Sequence, residues 1–202
     1  MNYAGARHIS KKDSRMAEVI KKIGPCTLAP RRARFQSLAR AIVGQQISTK
    51  AARNVFDRLR RESGGYVTAE RLVELPKRKL LSAGLSRQKA AYLADLSERV
   101  VNGTLRLNQL DHLHDEKVIV ELTAVKGIGR WTAEMFLMFV LNRPDILPVG
   151  DIGIQDGFQL VYGLRRRPSE ERMLALAEPW RPYRTVGSWY LWRFKDVVPE
   201  DY

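Results

Sequence analysis

Residues 122–133, Leu-Thr-Ala-Val-Lys-Gly-Ile-Gly-Arg-Trp-Thr-Ala, leave the backbone the fewest options of any stretch in this chain. Leu122 and Val125 close an apolar helix turn, Gly127-Ile128-Gly129 forms a tight hairpin, and Thr132-Ala133 opens a second helix. Glycine reaches backbone conformations closed to residues with a Cβ and lets a large ligand approach the main chain. The second helix then presents its unpaired N–H groups, with the positive end of its dipole, across the turn. A phosphodiester fits such a clamp, and Lys126, Gly127, Ile128, Gly129 and Thr132 are its candidate contacts. A lone Gly-x-Gly would signify only a tight turn between packed helices. The full hydrophobic-x-Gly-hydrophobic-Gly-x-x-Thr-Ala pattern is far more selective.

The rest of the chain is helical in period. Met16, Val19, Ile20 and Ile23 fall at i, i+3, i+4 and i+7 and stop at Gly24-Pro25. Phe35, Leu38, Ala39, Ile42 and Val43 repeat the pattern until Gly44-Gln45-Gln46-Ile47 interrupts it, and Ser48 or Thr49 can cap the helix that follows. Short helical pieces are expected near 68–74 and 77–82, and a longer helix from about 87 to Asn102-Gly103. Asp115 is placed to cap a helix running into the hairpin, whose partner extends from about 130 to 141. Pro144 to Gly150 reads as a loop, followed by helices near 152–162, 169–179 and 183–194. Leu81 to Ala90 faintly echoes the hairpin and reads as a plain helix–turn–helix. The predicted fold class is all-α.

Charge narrows the partner. Lys and Arg number 35 against 22 Asp and Glu, a net charge of +13, which points to a polyanion and to nucleic acid first. Arg31-Arg32-Arg34, Arg58-Arg60-Arg61, Lys77-Arg78-Lys79 and Arg165-Arg166-Arg167 are the densest clusters. Hydrophobic residues make up 45 %, enough for a packed core. Neither a run of 18 apolar residues nor an apolar leader is present, so a soluble intracellular protein with no membrane partner is expected. Cys26 is the only cysteine, which excludes an internal disulfide and a four-cysteine iron–sulfur cluster or zinc ribbon. His112-Leu113-His114 lacks zinc-site spacing and reads as loop surface. No catalytic metal and no cofactor are expected.

Asp151 lies 22 residues after Gly129, behind Pro148-Val149-Gly150 and ahead of an apolar helical segment. Its plainest role is an N-cap for that helix. The same fixed carboxylate can stabilise a cation developing on a sugar. Asp145 and Asp156 are rivals, one on an expected loop tip and one on a helix face. Trp131 stands two residues after the second hairpin glycine, and Trp180, Trp189 and Trp192 crowd the C-terminal helices with Tyr183 and Tyr190. Aromatic faces stack on an extrahelical base, and a cationic base adds cation–π attraction of roughly 0.5–2 kcal/mol.

Taken together, the hairpin, the Pro-Val-Gly-Asp segment and the Trp-Arg-Pro-Tyr-Arg…Ser-Trp-Tyr-Leu-Trp-Arg tail resemble the helix-hairpin-helix DNA glycosylases, specifically their 3-methyladenine DNA glycosylase II branch. The likeness runs from about residue 33 to 195, and Ile42-Val-Gly-Gln-Gln-Ile-Ser48 also fits that branch. It implies a two-lobed helical fold with the active site in the cleft between lobes. The first lobe would hold about 33–110 with 111–150 carrying the hairpin, and the second the N-terminal segment with about 151–195. The 30-odd residues before Phe35 are too few for the N-terminal α/β domain of the best-known bacterial form, so a single compact catalytic unit is expected.

The resemblance implies Asp151 as the essential acidic residue and Gly127 and Gly129 as phosphate clamp. It implies Trp131 and Trp189 or Trp192 as walls of the base pocket, with Trp192 favoured by ungapped counting. Met135 stands where that bacterial form has an aromatic, implying a wider pocket. Gln46 or Ile47, with Gln45 beside them, would be the wedge that fills the gap left by a flipped nucleotide. Lyase relatives keep a lysine nucleophile at the position of Trp131, so a monofunctional enzyme is implied. The expected activity is removal of alkylated purines from double-stranded DNA, carried out by a monomer, on the nucleoid in a bacterial cytoplasm or in a eukaryotic nucleus. Two alternatives are a non-catalytic binder of distorted duplex, and a glycosylase of the same fold for oxidised or mismatched bases.

Overall fold

A computed structural model describes residues 2–31 and 33–195, so Arg32 of the first basic cluster lies outside the described residues. Every regular element among the described residues is helical: α1 Asn2–Lys12, α2 Ser14–Ile23, α3 Arg34–Gly44, α4 Thr49–Glu62, α5 Ala69–Glu74, α6 Lys77–Ser82, α7 Arg87–Val101, α8 Asp115–Thr123, α9 Arg130–Phe139, α10 Ile152–Tyr162, α11 Glu170–Ala177 and α12 Arg184–Phe194, with 3-10 turns at Leu107–His112 and Glu178–Trp180. These form two compact units. Among the described residues, one holds 2–30 and 137–195, and the other holds 31 and 33–136. The division falls inside α9, so residues 137–150 go with the C-terminal helices rather than with the hairpin as the sequence suggested.

In the first unit α12 is the central element. Thr185 through Trp192 are buried without a break, the signature of a helix enclosed on all sides. α1, α2 and α10 pack around it. Two glycines permit this closeness: a Cβ on Gly187 would lie 2.4 Å from the Trp180 ring, and one on Gly157 would lie 2.8 Å from Leu191 Cβ. Trp180 in turn stacks flat on Phe158 at 5.3 Å between centroids. Helix α1 has no counterpart in the sequence reading, because among its described residues Ile9 is the one fully buried apolar side chain, too few to set a period. Gly5 is there for clearance, since a Cβ would meet Val186 at 2.9 Å.

Asp13 ties this unit together with a single carboxylate. Oδ1 caps α2 by accepting from Met16 N–H at 3.1 Å, and Oδ2 accepts from Trp180 Nε1 at 2.8 Å and from the Tyr162 hydroxyl. Burial, reinforced by the neighbouring Asp13 carboxylate, pushes the Tyr162 phenol far above its ordinary range, so it stays protonated and donates to Asp13. Nearby, Tyr190 Oη donates to Gly24 O at 2.9 Å, and burial pushes the Cys26 thiol up to about 11, leaving it protonated at neutral pH.

In the second unit α3 and α7 supply the core with Leu38, Ile42, Ala90, Leu93 and Leu96, against α4, α5 and α6. Ser48 caps α4 through Ala51 N–H. The α6–α7 link is a helix–turn–helix whose Gly84 has φ +95°, with the Arg58 guanidinium lying over it. His114 rather than Asp115 occupies the N-cap of α8, and Asp115 sits in the first turn, where its charge favours the helix dipole. Likewise α9 begins at Arg130, two residues before Thr132, and it ends at Phe139 because Asn142 turns left-handed at φ +55°. Removing the Asp13 carboxylate with Asp13→Ala costs the α2 cap and strands two donors, a loss of about 3 kcal/mol. Chemical denaturation reads this directly, with Asp13→Asn expected to lose less because it keeps one acceptor; a change below about 1 kcal/mol for the alanine variant would contradict it.

Candidate functional site

The hairpin is built from Val125 to Gly129. Val125 and Ile128 are buried and hold the turn to the core, and Ile128 N–H donates to Val125 O at 3.1 Å. Gly127 is left-handed at φ +82°, and a Cβ there would fall 2.1 Å from Tyr92 Cδ2, so conformation and clearance both require glycine. Gly129 differs from the expectation: its φ is not left-handed, and a Cβ would meet nothing within 4 Å. What glycine preserves at 129 is a bare, exposed patch of backbone at the mouth of α9.

Neighbouring side chains brace the turn. Lys126 N–H donates to Asp95 Oδ2 at 2.9 Å, and Arg99 Nε donates to the same oxygen at 2.9 Å. Burial raises the Asp95 carboxyl, but the hydrogen bonds and charges of Lys126 and Arg99 outweigh it and hold it below the ordinary Asp value. Arg130 grips Glu116 with two hydrogen bonds of 2.6 and 3.1 Å and reaches Glu134 at 3.1 Å, which joins the first turns of α8 and α9. The side chains of Lys126 and Trp131 are exposed and that of Thr132 is buried. Of the four tryptophans Trp131 alone is exposed, at 36 %, whereas Met135 is wholly buried.

The segment Gln45–Ile47 splits by role. Gln45 Nε2 donates to Gly127 O at 2.7 Å, which draws the end of α3 onto the hairpin. Gln46 takes the left-handed conformation at φ +57°, and Ile47 is 41 % exposed, so these two form the outward tip.

In the other unit Asp151 is the N-cap of α10. Its Oδ1 accepts from Ile154 N–H at 2.8 Å and from Trp192 Nε1 at 2.9 Å. Gly153 makes room for this meeting: a Cβ would lie 3.0 Å from both Asp151 Oδ1 and Trp192 Cδ1. Trp192 is buried and stacks on Phe139 at 6.0 Å, so the ring that orients the carboxylate is itself immobilised. Trp189 is buried edge-on to Tyr190, with the Arg193 guanidinium 5.7 Å from its ring centre. The rival carboxylates have structural duties. Asp145 binds Arg184 at 2.7 and 3.0 Å and Arg181 at 2.7 Å, anchoring the 144–150 loop to α12. Asp156 pairs with Arg167 and Lys195, whose hydrogen bonds hold it below the usual carboxylate range.

The basic clusters also divide. Arg34 holds Leu107 O and Asp111, and Arg58 holds Ala83 O at 2.8 Å, so both are internal braces. Lys77, Arg78, Arg165 and Arg166 stand exposed and carry the outward positive field. The signal that sequence reasoning missed is α7, whose Lys89, Tyr92 and Asp95 all reach the tip segment or the hairpin. Their spacing of three marks a common helix face, but polar residues at that spacing look like ordinary solvent-facing positions.

The two glycines predict different phenotypes. Gly127→Ala strains the left-handed position and collides with Tyr92, so stability falls by more than about 1 kcal/mol. Gly129→Ala should leave thermal unfolding unchanged yet weaken binding to any DNA duplex about tenfold, the equivalent of one charge-assisted hydrogen bond lost from the exposed backbone. Fluorescence anisotropy with undamaged duplex checks this, and unchanged affinity for Gly129→Ala would contradict it.

Comparison with known proteins places the chain in a family. The family described as HhH-GPD superfamily base excision DNA repair protein matches residues 39–182. DNA-3-methyladenine glycosylase 1 of Schizosaccharomyces pombe is 32 % identical over 192 residues, covering 92 % of this chain and 84 % of that one. The crystal structure of a DNA-3-methyladenine glycosidase from Bacillus halodurans superposes with a TM-score of 0.87 at 38 % identity, covering 98 % of this chain and 92 % of that one. A Schizosaccharomyces pombe 3-methyladenine DNA glycosylase in complex with abasic DNA superposes with a TM-score of 0.82 at 30 % identity, covering 98 % of both chains. The family match over most of the chain and the relatives above 30 % identity show that the chain belongs to the HhH-GPD superfamily of base excision DNA repair proteins.

Proposed function

We propose that the protein is a monofunctional DNA glycosylase that removes alkylated purines, of the 3-methyladenine and 7-methylguanine type, from double-stranded DNA and leaves an abasic site. The observation that carries this reading is Asp151, a carboxylate held by Ile154 N–H and Trp192 Nε1 at the start of α10. The names of the relatives support the substrate class, and the relative solved with abasic DNA supports the partner. The protein acts as a monomer wherever the genome lies, on the nucleoid in a bacterium or in the nucleus of a eukaryote. No helix among the described residues is long and apolar enough to cross a membrane.

The chemistry needs little acid. Alkylation at N3 of adenine or N7 of guanine places a positive charge on the base. The N-glycosidic bond therefore breaks with its electron pair passing to an already cationic leaving group. Positive charge develops on the sugar, and the Asp151 carboxylate stabilises it electrostatically. Water then bonds to the anomeric carbon and releases a proton. Trp131, the exposed tryptophan at the first turn of α9, is the ring on which the extrahelical base stacks. Met135, in the hairpin unit, and Trp189 and Trp192, in the other, are buried side chains and offer a base no exposed face of the kind Trp131 presents. The side chain at 131 is an indole, so no amine is present there for Schiff-base chemistry.

Single-turnover base release tests the assignment. Wild type should release 7-methylguanine from methylated duplex faster than neutral hypoxanthine from a matched one. Asp151→Asn keeps an oxygen for both hydrogen bonds and loses only the charge, so release should fall by roughly 100-fold or more with affinity for abasic DNA nearly unchanged. Binding of duplex without any base release by wild type would instead favour a non-catalytic DNA-binding protein. Excision by Asp151→Asn within a factor of about two of wild type would remove the carboxylate from its role.

A further inference from the structure

We propose that Gln45, Lys89 and Tyr92 are positioning residues that lock the outward tip Gln46-Ile47 to the hairpin, so that grip on the DNA backbone and entry of the tip into the duplex occur as one movement. The inference rests on the glycosylase reading above and concerns residues that reading leaves idle. The tip segment and the hairpin are far apart in sequence, yet one helix face holds both. From α7, Lys89 Nζ donates to Val43 O at 2.7 Å and Gln45 O at 2.6 Å, tethering the last carbonyls of α3 and the first residue of the tip turn. One turn on, the Tyr92 ring fills the space above Gly127 where a Cβ would stand. A further turn on, Asp95 accepts from Lys126 N–H. Gln45 closes the circuit from the other side through Nε2 to Gly127 O at 2.7 Å.

Each link is of a kind that resists slippage. The Lys89 ammonium is desolvated, which lowers its pKa, and two carbonyl acceptors hold it on the end of α3. A cation at a helix C-terminus also meets the negative end of the dipole. Gln45 leaves the helix at φ −53°, ψ 129° beside the left-handed Gln46, and its side chain reaches the hairpin while Gln46 and Ile47 are exposed. The tip is short and its own turn bonds are long, 3.4 Å for Gln45 N–H to Ile42 O and 3.4 Å for Ile47 N–H to Gly44 O. Its geometry is therefore set by Lys89 and Gln45 more than by the turn itself.

The test separates grip from insertion. Lys89→Met and Gln45→Met retain side-chain volume and remove the donors, and Ile47→Ala shortens the tip itself. All are compared with wild type for affinity to undamaged duplex across salt, for fluorescence of 2-aminopurine placed beside the lesion, and for single-turnover base release. Lys89→Met and Gln45→Met should bind undamaged duplex within about twofold of wild type with the same salt slope. Their base-flipping signal and base release should fall about 10- to 100-fold, the scale expected when a reacting group is displaced by about an ångström. Combining Lys89→Met with Ile47→Ala should cost less than the sum of the two, because both act on the same insertion step. A shallower salt slope with proportional loss of binding for Lys89→Met would show a phosphate contact and overturn the coupling. Wild-type flipping and release by both methionine variants would overturn it too, while leaving the enzyme's activity established by its own base release. Absence of base release by wild type would overturn the glycosylase reading itself.

Discussion

The close approach of the Tyr92 ring to Gly127 is the constraint on which the hairpin unit depends. No other residue type can sit at 127, because the site demands both a left-handed backbone and an empty α-carbon. With the ring seated there, α7 lies directly against the turn between α8 and α9, and its other side chains find their partners by proximity. Asp95 takes the Lys126 amide, and Lys89 takes the end of α3. Ile128 then points into the core and Gly129 outward, which leaves bare backbone at the start of α9 for an anionic ligand.

Electrostatics sorts the carboxylates. Asp145 and Asp156 are each held by two cationic side chains, and Asp95 by an arginine and an amide; these charges serve to fasten loops and helices. Asp13 collects three donors and joins α2 to α10 and to the Trp180 turn. The partners of Asp151 include two neutral N–H donors, one from the backbone of its own helix and one from an immobilised indole. Neutral donors orient a carboxylate without cancelling its charge, which is what stabilising a transient cation on a sugar requires. The same division holds for the basic residues: Arg34 and Arg58 brace the interior, and Lys77, Arg78, Arg165 and Arg166 face outward.

Features that depend on neighbours in sequence were legible from it. The Gly127 turn, the Asp151 cap, the Ser48 cap and the amphipathic faces of α2, α3, α4 and α7 follow from local spacing and from conformational demands on single residues. Features that depend on clearance were not. Gly5 is a helix residue whose missing Cβ admits Val186, and Gly129 reads as a conformational glycine although its φ is not left-handed. The bond from Gln45 to Gly127 spans 82 positions, and a long polar side chain leaves no periodic trace of such a partner. Trp192 was expected as a wall for the base, but its indole N–H on Asp151 could not be inferred, since it depends on Gly153 lying between them.

In the proposed reaction Asp151 acts through its negative charge on a cationic sugar. Binding of abasic-site analogues tests this without any turnover. A duplex carrying a pyrrolidine in place of the sugar is protonated near neutral pH and mimics the charge of the transition state; a tetrahydrofuran site has similar shape and no charge. Wild type should bind the pyrrolidine duplex more tightly, by about 100-fold or more on the scale usual for transition-state analogues, and Asp151→Asn should bind the two nearly alike. An equal preference for the cationic analogue in wild type and Asp151→Asn would contradict the claim.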